Sequence, residues 1–483
     1  MDYEVIIGLE IHVELLTESK MFCGCPTLFG EPPNTQTCPV CLGLPGALPV
    51  INRKAIEYTV KTGLALDSEI ASFSWFYRKN YFYPDMVKNY QISQYDYPLC
   101  SGGSVEVDMQ DYIREVGITR VHLEEDTGKL IHKGGAGRIA GANYSLVDFN
   151  RSGVPLMEIV TEPDIRSPEE AKVFVQKLRS ILQHLEVSDC NMEQGSLRCD
   201  ANVSLRPRGT IEFGVKAEVK NMNSFKALHK ALAYEVERQE RLLEEGGQVE
   251  QETRHWDAAK NVTTSLRTKE YAHDYRYFPE PDLVPMELSK VWVREIESTL
   301  PELPDARKDR FEREFSLSMH DAATLTSSKA MGDFFEECSK SYKDSKTVCN
   351  WIMGELSKHL NAANLEIDES AVTPRHLAQL LKLIDDGTIS GKMAKGVFEE
   401  MFETGKLPKV IVEDKGLTQI SNEDDIAGII DLVLEANSEA AVDFKNGKDK
   451  AIGFLVGQVM RLTKGRANPG LVNKLLIEKL SEM

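Results

Sequence analysis

The sequence predicts an α+β protein, with a mainly β N-terminal region followed by two all-α domains. Three observations carry this prediction. Up to about residue 290, short runs of alternating apolar and polar residues recur between glycine-rich turns. The segment Pro279-Glu-Pro-Asp-Leu-Val-Pro285 then interrupts regular structure, because its prolines remove backbone donors and bias the residues before them away from helix. From Pro301-Glu-Leu-Pro304 to the end, Ala, Leu, Lys and Glu recur at helical spacing with almost no strand pattern.

In order along the chain, Val5–Leu15, Gly117–Glu125, Tyr144–Phe149 and Leu197–Leu205 read as strands, and Gly134–Gly141 reads as a glycine-rich loop. Two helices interrupt them. Ser167-Pro-Glu-Glu170 supplies an N-cap, a proline in the first turn and acids near the positive helix end. Ala171, Phe174, Val175, Leu178, Ile181, Leu182 and Leu185 then mark one helical face. A second helix runs from about Ser224 to Glu245 and stops at Gly246-Gly247. The helical part divides near Gly405-Lys-Leu-Pro408, giving expected domains of 1–292, 293–406 and 407–483.

Composition narrows the class. Apolar residues make up 42% and charged residues 28% of 483, the balance of a soluble globular protein of several domains. No apolar run approaches the ~18 residues of a membrane span, and the start Met1-Asp-Tyr-Glu4 lacks the features of a signal peptide. A cytoplasmic protein with no membrane partner is expected. A net charge of −19 argues against indiscriminate nucleic-acid binding. Positive charge is local instead: from Lys445 to Met483 there are eight Lys or Arg against three Asp or Glu.

Several constellations bear chemistry. In Val5–Leu15, alternation sends Ile7, Leu9, Ile11 and Val13 to one face and Gly8, Glu10, His12 and Glu14 to the other. That second face is either a metal-bearing row or a solvated strand surface. In Arg120-Val-His-Leu-Glu-Glu-Asp-Thr-Gly-Lys129, the adjacent Glu124 and Glu125 cannot share a face of a regular strand. One reaches a metal while the other lines an adjacent surface, or the run is a plain acidic turn. Arg78–Gln94 interleaves Arg78, Lys79 and Lys88 with Tyr81, Phe82, Tyr83 and Tyr90, a mixture suited to a binding surface. Leu197–Leu205 places Arg198, Asp200, Asn202 and Ser204 on one face, with Glu218, Lys220 and Asp274-Tyr-Arg276 as further polar rows. These form either a solvated sheet face or a floor for a charged ligand. No G-x-x-x-x-G-K-[ST] loop is present, so any nucleotide must be held by a sheet floor and metal ions.

Cys23-Gly-Cys25 and Cys38-Pro-Val-Cys41, separated by twelve residues, match a structural four-thiolate zinc site, although the first pair has one intervening residue where two is commoner. A redox C-x-x-C is the rival reading and leaves the first pair unexplained.

Together these segments resemble the B-subunit family of the tRNA-dependent amidotransferases. The likeness runs through Ile7–Glu14, Arg78–Gln94, His122–Lys129, Leu146–Asp164, Gly195–Ser204, Lys220–Phe225, Asp274–Asp282, Gly453–Gln458 and Gly465–Pro469, and so covers nearly the whole chain. The resemblance implies a glutamine-synthetase-like catalytic cradle, a helical domain and a C-terminal tail domain that touches tRNA. It implies ATP-dependent amidation of Glu-tRNA(Gln), Asp-tRNA(Asn) or both. The implied assembly is a heterotrimer of this chain, an amidase subunit that releases ammonia from glutamine, and a small third subunit. It assigns Mg²⁺, with Mn²⁺ as a substitute because histidine is an unusual magnesium ligand, to Glu10, His12 and Glu125, with Glu124 as a further ligand. Lys79, Tyr81, Lys88 and Glu125 are expected where ammonia emerges. Arg198, Asp200, Glu218, Lys220 and Arg276 are expected at nucleotide or phosphate. Lys448, Lys450, Arg461, Lys464, Arg466 and Lys474 are expected to contact tRNA phosphates. A non-catalytic tRNA scaffold is the competing class. A self-sufficient amidase built on Ser327-Ser328-Lys329 is a weaker one.

Overall fold

The computed structural model describes residues 2–109, 111–134, 141–268, 275–363, 365–418, 420, 422–445, 450–463 and 465–482. Most of the expected Gly134–Gly141 loop lies outside them, as do Asp274, Lys448 and Lys464. The chain divides into two compact units, Met1–Pro304 and Asp305–Met483. The first is sheet-rich and the second helical.

The first unit is built on a mixed sheet. Its main strands are β1 (Tyr3–Glu14), β4 (Tyr112–Glu125), β5 (Pro155–Thr161), β6 (Leu197–Pro207), β7 (Ala217–Lys220), β8 (Glu252–Asp257) and β9 (Val262–Thr268). They lie in the order β9-β8-β7-β6-β1-β5-β4, extended at one edge by the short strands Cys100–Ser101 and Glu69–Ile70. All these pairings are antiparallel except β7 with β8. A separate small sheet holds β2 (Tyr77–Asn80) and β3 (Tyr90–Ser93), with Phe278–Pro279 on the outer side of β2. The proline-rich segment is therefore extended at its start, as its prolines require.

The alternation of β1 holds. Ile7, Leu9, Ile11 and Val13 are at most 1% exposed, in a core shared with helices α1 (Pro168–His184) and α2 (Phe225–Glu244). Ser167 caps α1 by accepting from the Glu170 backbone N–H at 3.1 Å, and Ser224 caps α2 by accepting from the Ala227 N–H at 3.1 Å. With one face of the sheet sealed by these helices, the charged side chains of the central strands are confined to the other. The helix Lys290–Glu297 contributes Ile296 to this first core.

The second unit carries two apolar clusters, one drawn from residues Phe311 to Val412 and one from Ile426 to Leu480. Between helices Met319–Thr326 and Lys329–Ser341, Ser327 and Ser328 occupy the capping positions, and Lys329 pairs with Asp333 at 2.8 Å. The Ser-Ser-Lys tripeptide is a helix junction, consistent with its polar composition.

Candidate active site

Strand register assembles the charged face. Arg198 of β6 lies opposite His12 of β1, His12 opposite Glu158 of β5, and Glu158 opposite His122 of β4, so one row of ionisable groups crosses four strands. His12 Nε2 is 3.6 Å from Glu158 Oε2 and 3.7 Å from Glu124 Oε1, and His122 Nε2 is 3.3 Å from Glu158 Oε2. Burial works against a proton on His12, but Glu158 and Glu124 outweigh it and hold the ring above its ordinary range. Burial likewise opposes ionisation of Glu158, yet His122 and His12 keep its carboxyl well below the usual carboxylate range. One donor atom each from His12, Glu124 and Glu158 lie within 4.8 Å of one another.

Around this row the polar groups are committed to one another. Arg198 donates to Asp126 at 2.6 Å, and Arg151 lies 3.6 Å from the same oxygen. Burial and the Asp126 charge push the Glu14 carboxyl up to about 8. Glu10 accepts from Asn202 Nδ2 at 3.0 Å and stands apart from the His12–Glu124–Glu158 group. Lys220 pairs with Asp200 and lies 3.1 Å from Glu218, which also accepts from Thr253 at 2.8 Å. Burial disfavours the Lys220 ammonium, but Asp200 and Glu218 hold its proton above the usual lysine range. Arg276 has a left-handed backbone (φ 47°), and its carbonyl accepts from Asn80 Nδ2 at 2.9 Å, next to β2.

The strand-end acids diverge as alternation requires. Glu124 turns to His12 and also accepts from Ser93 Oγ at 3.2 Å. Glu125 pairs with Lys88 and accepts from the Ile92 N–H at 2.9 Å. Lys79 belongs with the first group: burial disfavours its ammonium, but Glu124, Tyr277 and Glu158 hold the proton on, and its Nζ sits 5.2 Å from the Tyr275 ring centroid. Tyr81 lies nearby, its ring 6.1 Å from Tyr275 and its hydroxyl pushed up by burial and by Glu124. Lys88 and Glu125 instead face a cavity of about 210 Å³, lined also by Phe22, Cys41, Gly43 and Gly153.

Cys23 and Cys41 of the cysteine cluster line that cavity. The sulfurs of Cys23, Cys25, Cys38 and Cys41 lie within 4.8 Å of one another, and Cys38 and Cys41 are 3.9 Å apart. Tetrahedral zinc with bonds of ~2.3 Å separates its sulfurs by about 3.8 Å, so the donor set and spacing fit that ion. Hydrogen bonding from Cys23, followed by the Cys38 N–H and Lys20, brings the Cys41 thiol down to about 5. His12, Glu124 and Glu158 offer one nitrogen and two carboxylates, a set that fits a divalent ion taking mixed oxygen and nitrogen ligands.

In the second unit, Lys450, Arg461 and Lys474 are exposed, and Lys474 lies 3.7 Å from Glu423. Arg466 is half-buried and donates to the Thr463 carbonyl at 3.4 Å.

Sequence reasoning missed Glu158, His122 and Asp126. Glu158 had a signal, as the lone charge in Pro155-Leu-Met-Glu-Ile-Val-Thr161. A charged residue inside an otherwise buried strand needs a partner.

The first unit thus carries an acid- and histidine-bearing sheet face and a four-cysteine cluster, and a helical unit follows it in the chain. Residues 5–294 match the family model of the GatB/GatE catalytic domain, and residues 333–480 match that of the GatB domain. The chain belongs to the GatB family. It is 58% identical over 482 residues, covering all of both chains, to the B subunit of the aspartyl/glutamyl-tRNA(Asn/Gln) amidotransferase of Caldanaerobacter subterraneus subsp. tengcongensis. It is 56% identical, over the same extent, to the protein of that name from Carboxydothermus hydrogenoformans. The Brevibacillus brevis protein of that name is 55% identical over 481 residues, covering 100% of this chain and 99% of the relative.

Proposed function

We propose that this chain is the amide-forming subunit of an ATP-dependent ligase that converts misacylated Glu-tRNA(Gln), Asp-tRNA(Asn) or both to the amidated form. The single observation that carries the reading is the grouping of half-buried His12 with buried Glu158 and Glu124, with Lys79 held beside it, on the open face of the first unit's sheet. A carboxylate resists attack by ammonia because oxide is a poor leaving group. Moving the γ-phosphoryl group of ATP onto the tRNA-borne carboxylate gives an acyl phosphate, which ammonia attacks with release of phosphate. The first step brings anions together, so cations must neutralise them.

His12, Glu124 and Glu158 would hold Mg²⁺ or Mn²⁺, with Glu10 one register step away. The bound ion supplies charge neutralisation at the phosphoryl oxygens. Lys79 adds a fixed positive charge facing the same acids. The Lys220–Asp200–Glu218 and Arg198–Asp126 pairs line neighbouring strands, where nucleotide phosphates and ribose have donors and acceptors within reach. Glu125, held by Lys88 and the Ile92 N–H, would accept the proton that ammonia sheds on attack.

The rest of the assembly is what the family likeness implies. An amidase subunit supplies ammonia from glutamine, and a small third subunit makes up the cytoplasmic heterotrimer. The tail from residue 407 grips tRNA through its basic residues. The sheet region to residue 292 acts as a glutamine-synthetase-like cradle, and residues 293–406 form the connecting helical domain. A scaffold that only grips tRNA is disfavoured by the buried acids themselves, since they repel RNA phosphate unless a cation is bound. ATP hydrolysis by the reconstituted complex tests the reading: it should require misacylated tRNA, and hydrolysis indifferent to the aminoacyl group would contradict it.

A further inference from the structure

We propose that Lys20 is the counter-cation of the four-thiolate metal site, its buried ammonium offsetting the excess negative charge that four cysteinates place around a divalent ion. This rests on the reading that Cys23, Cys25, Cys38 and Cys41 hold zinc. Lys20 is 1% exposed and among the largest fully buried side chains of the protein. Lysine is almost never buried so completely unless it is paired with an opposite charge. Its Nζ donates to the Gln36 carbonyl at 2.7 Å and the Phe149 carbonyl at 3.2 Å, and lies 3.7 Å from Cys41 Sγ. Among the described residues its polar neighbours are thus two neutral carbonyls and one sulfur. Two carbonyls solvate an ammonium but leave its charge unbalanced, so the sulfur is the partner that justifies burial.

The charge balance makes the pairing reciprocal. Four thiolates around Zn²⁺ leave a net charge of −2, and a site carrying that charge is costly to bury without compensation. The Cys38 N–H points at Cys41 Sγ at 3.2 Å and supplies a dipole, but among the described residues only Lys20 supplies a full charge at that sulfur. Lys88 lines the adjoining cavity and is committed to Glu125. The two carbonyls that aim Lys20 come from the cysteine loop (Gln36) and from the turn ahead of β5 (Phe149), so the ammonium also ties the metal loop to the sheet.

The test uses the full chain purified with its partner subunits, comparing wild type with Lys20→Arg, Lys20→Met and Lys20→Gln. Zinc content is measured by mass spectrometry of the metal, and zinc release is followed with a chromogenic chelator, a readout independent of catalysis. Wild type should carry one zinc. Lys20→Met should release it at least about 10-fold faster, equivalent to ~1.4 kcal/mol, while Lys20→Arg stays within about threefold of wild type. Lys20→Gln keeps a donor for the two carbonyls without the charge. It should also lose zinc about 10-fold faster, and it replaces Lys20→Met if that variant does not fold. A purely structural role makes no demand on site charge, so the decisive arm is a Cys25→His background, in which the site is one charge less negative. There the effect of removing Lys20 should shrink. Wild-type release rates from a zinc-loaded neutral variant, or an undiminished effect in the histidine background, overturn the proposal. Wild-type protein that holds no zinc while its thiols are intact overturns the zinc reading itself, a distinguishable failure.

Discussion

Replacing Glu158 with Gln should weaken metal binding by ~100-fold while leaving the protein folded. Glu158 is 7% exposed and sits between two imidazoles, 3.6 Å from His12 and 3.3 Å from His122. Gln keeps the volume and an acceptor oxygen, so the structural cost is that of weakening a buried charge-assisted contact, about 1.5–3 kcal/mol. For the metal, the substitution removes one of two carboxylates in the His12–Glu124–Glu158 group. Partners that only orient a ligand are worth roughly 10–100-fold in affinity, so losing a ligating carboxylate should cost ~100-fold or more, about 2.8 kcal/mol. Titration of the full chain with Mn²⁺, followed by electron paramagnetic resonance, measures this directly, and circular dichroism confirms that the variant is folded. Amide formation should fall in step and recover partly at high Mg²⁺. A folded Glu158→Gln protein that binds Mn²⁺ as tightly as wild type would refute the assignment of this row as a metal site.

Three further outcomes follow from the same geometry. Gly43 has φ +63°, and a Cβ there would come within 2.3 Å of Lys88 Cγ, so Gly43→Ala should dislodge Lys88 from Glu125 and lower amide formation at least ~10-fold without changing zinc content. Equal activity in the two proteins at matched ammonia would show that the Lys88–Glu125 pair is dispensable. Replacing Cys23 and Cys38 together with Ser should abolish zinc binding and lower the melting temperature by several degrees, since a closed thiolate site contributes folding energy; an unchanged melting curve argues against a structural metal. Deleting residues from Asn422 onward, which leaves the Phe311–Val412 cluster whole, should weaken tRNA binding and flatten its salt dependence, because each phosphate neutralised releases counterions. Fluorescence anisotropy across a salt series reads both, and an unchanged slope would move the tRNA grip elsewhere.

How much of this was legible in the sequence depends on how local the signal was. The two faces of β1 follow from a period of two, and the observed burial of Ile7, Leu9, Ile11 and Val13 matches it. The cap at Ser167 was readable because capping is a matter of three or four residues. The cysteine grouping was readable from spacing alone. The row Arg198–His12–Glu158–His122 was not, because it joins residues far apart in the chain through strand register. Glu158 was hidden by its apolar neighbours, which made its strand look like ordinary core. Alternation required Glu124 and Glu125 to part, but which of them met His12 depended on the pairing of β4 with β5. Lys20 gave no local sign at all, since its burial is produced by Gln36, Cys41 and Phe149 converging from two separate loops.

The central claim, that this chain activates a tRNA-borne carboxylate at the His12–Glu158–Glu124 face, is tested most directly by comparing wild-type and His12→Ala complexes. Both are given ATP, glutamine and misacylated tRNA, with phosphate release and aminoacyl identity measured in the same reaction. Wild type should release phosphate and convert the aminoacyl group to its amide only when the tRNA is misacylated. His12→Ala should lose both while the partner subunit still hydrolyses glutamine. Amide formation at the wild-type rate by His12→Ala at limiting Mg²⁺ would contradict the account.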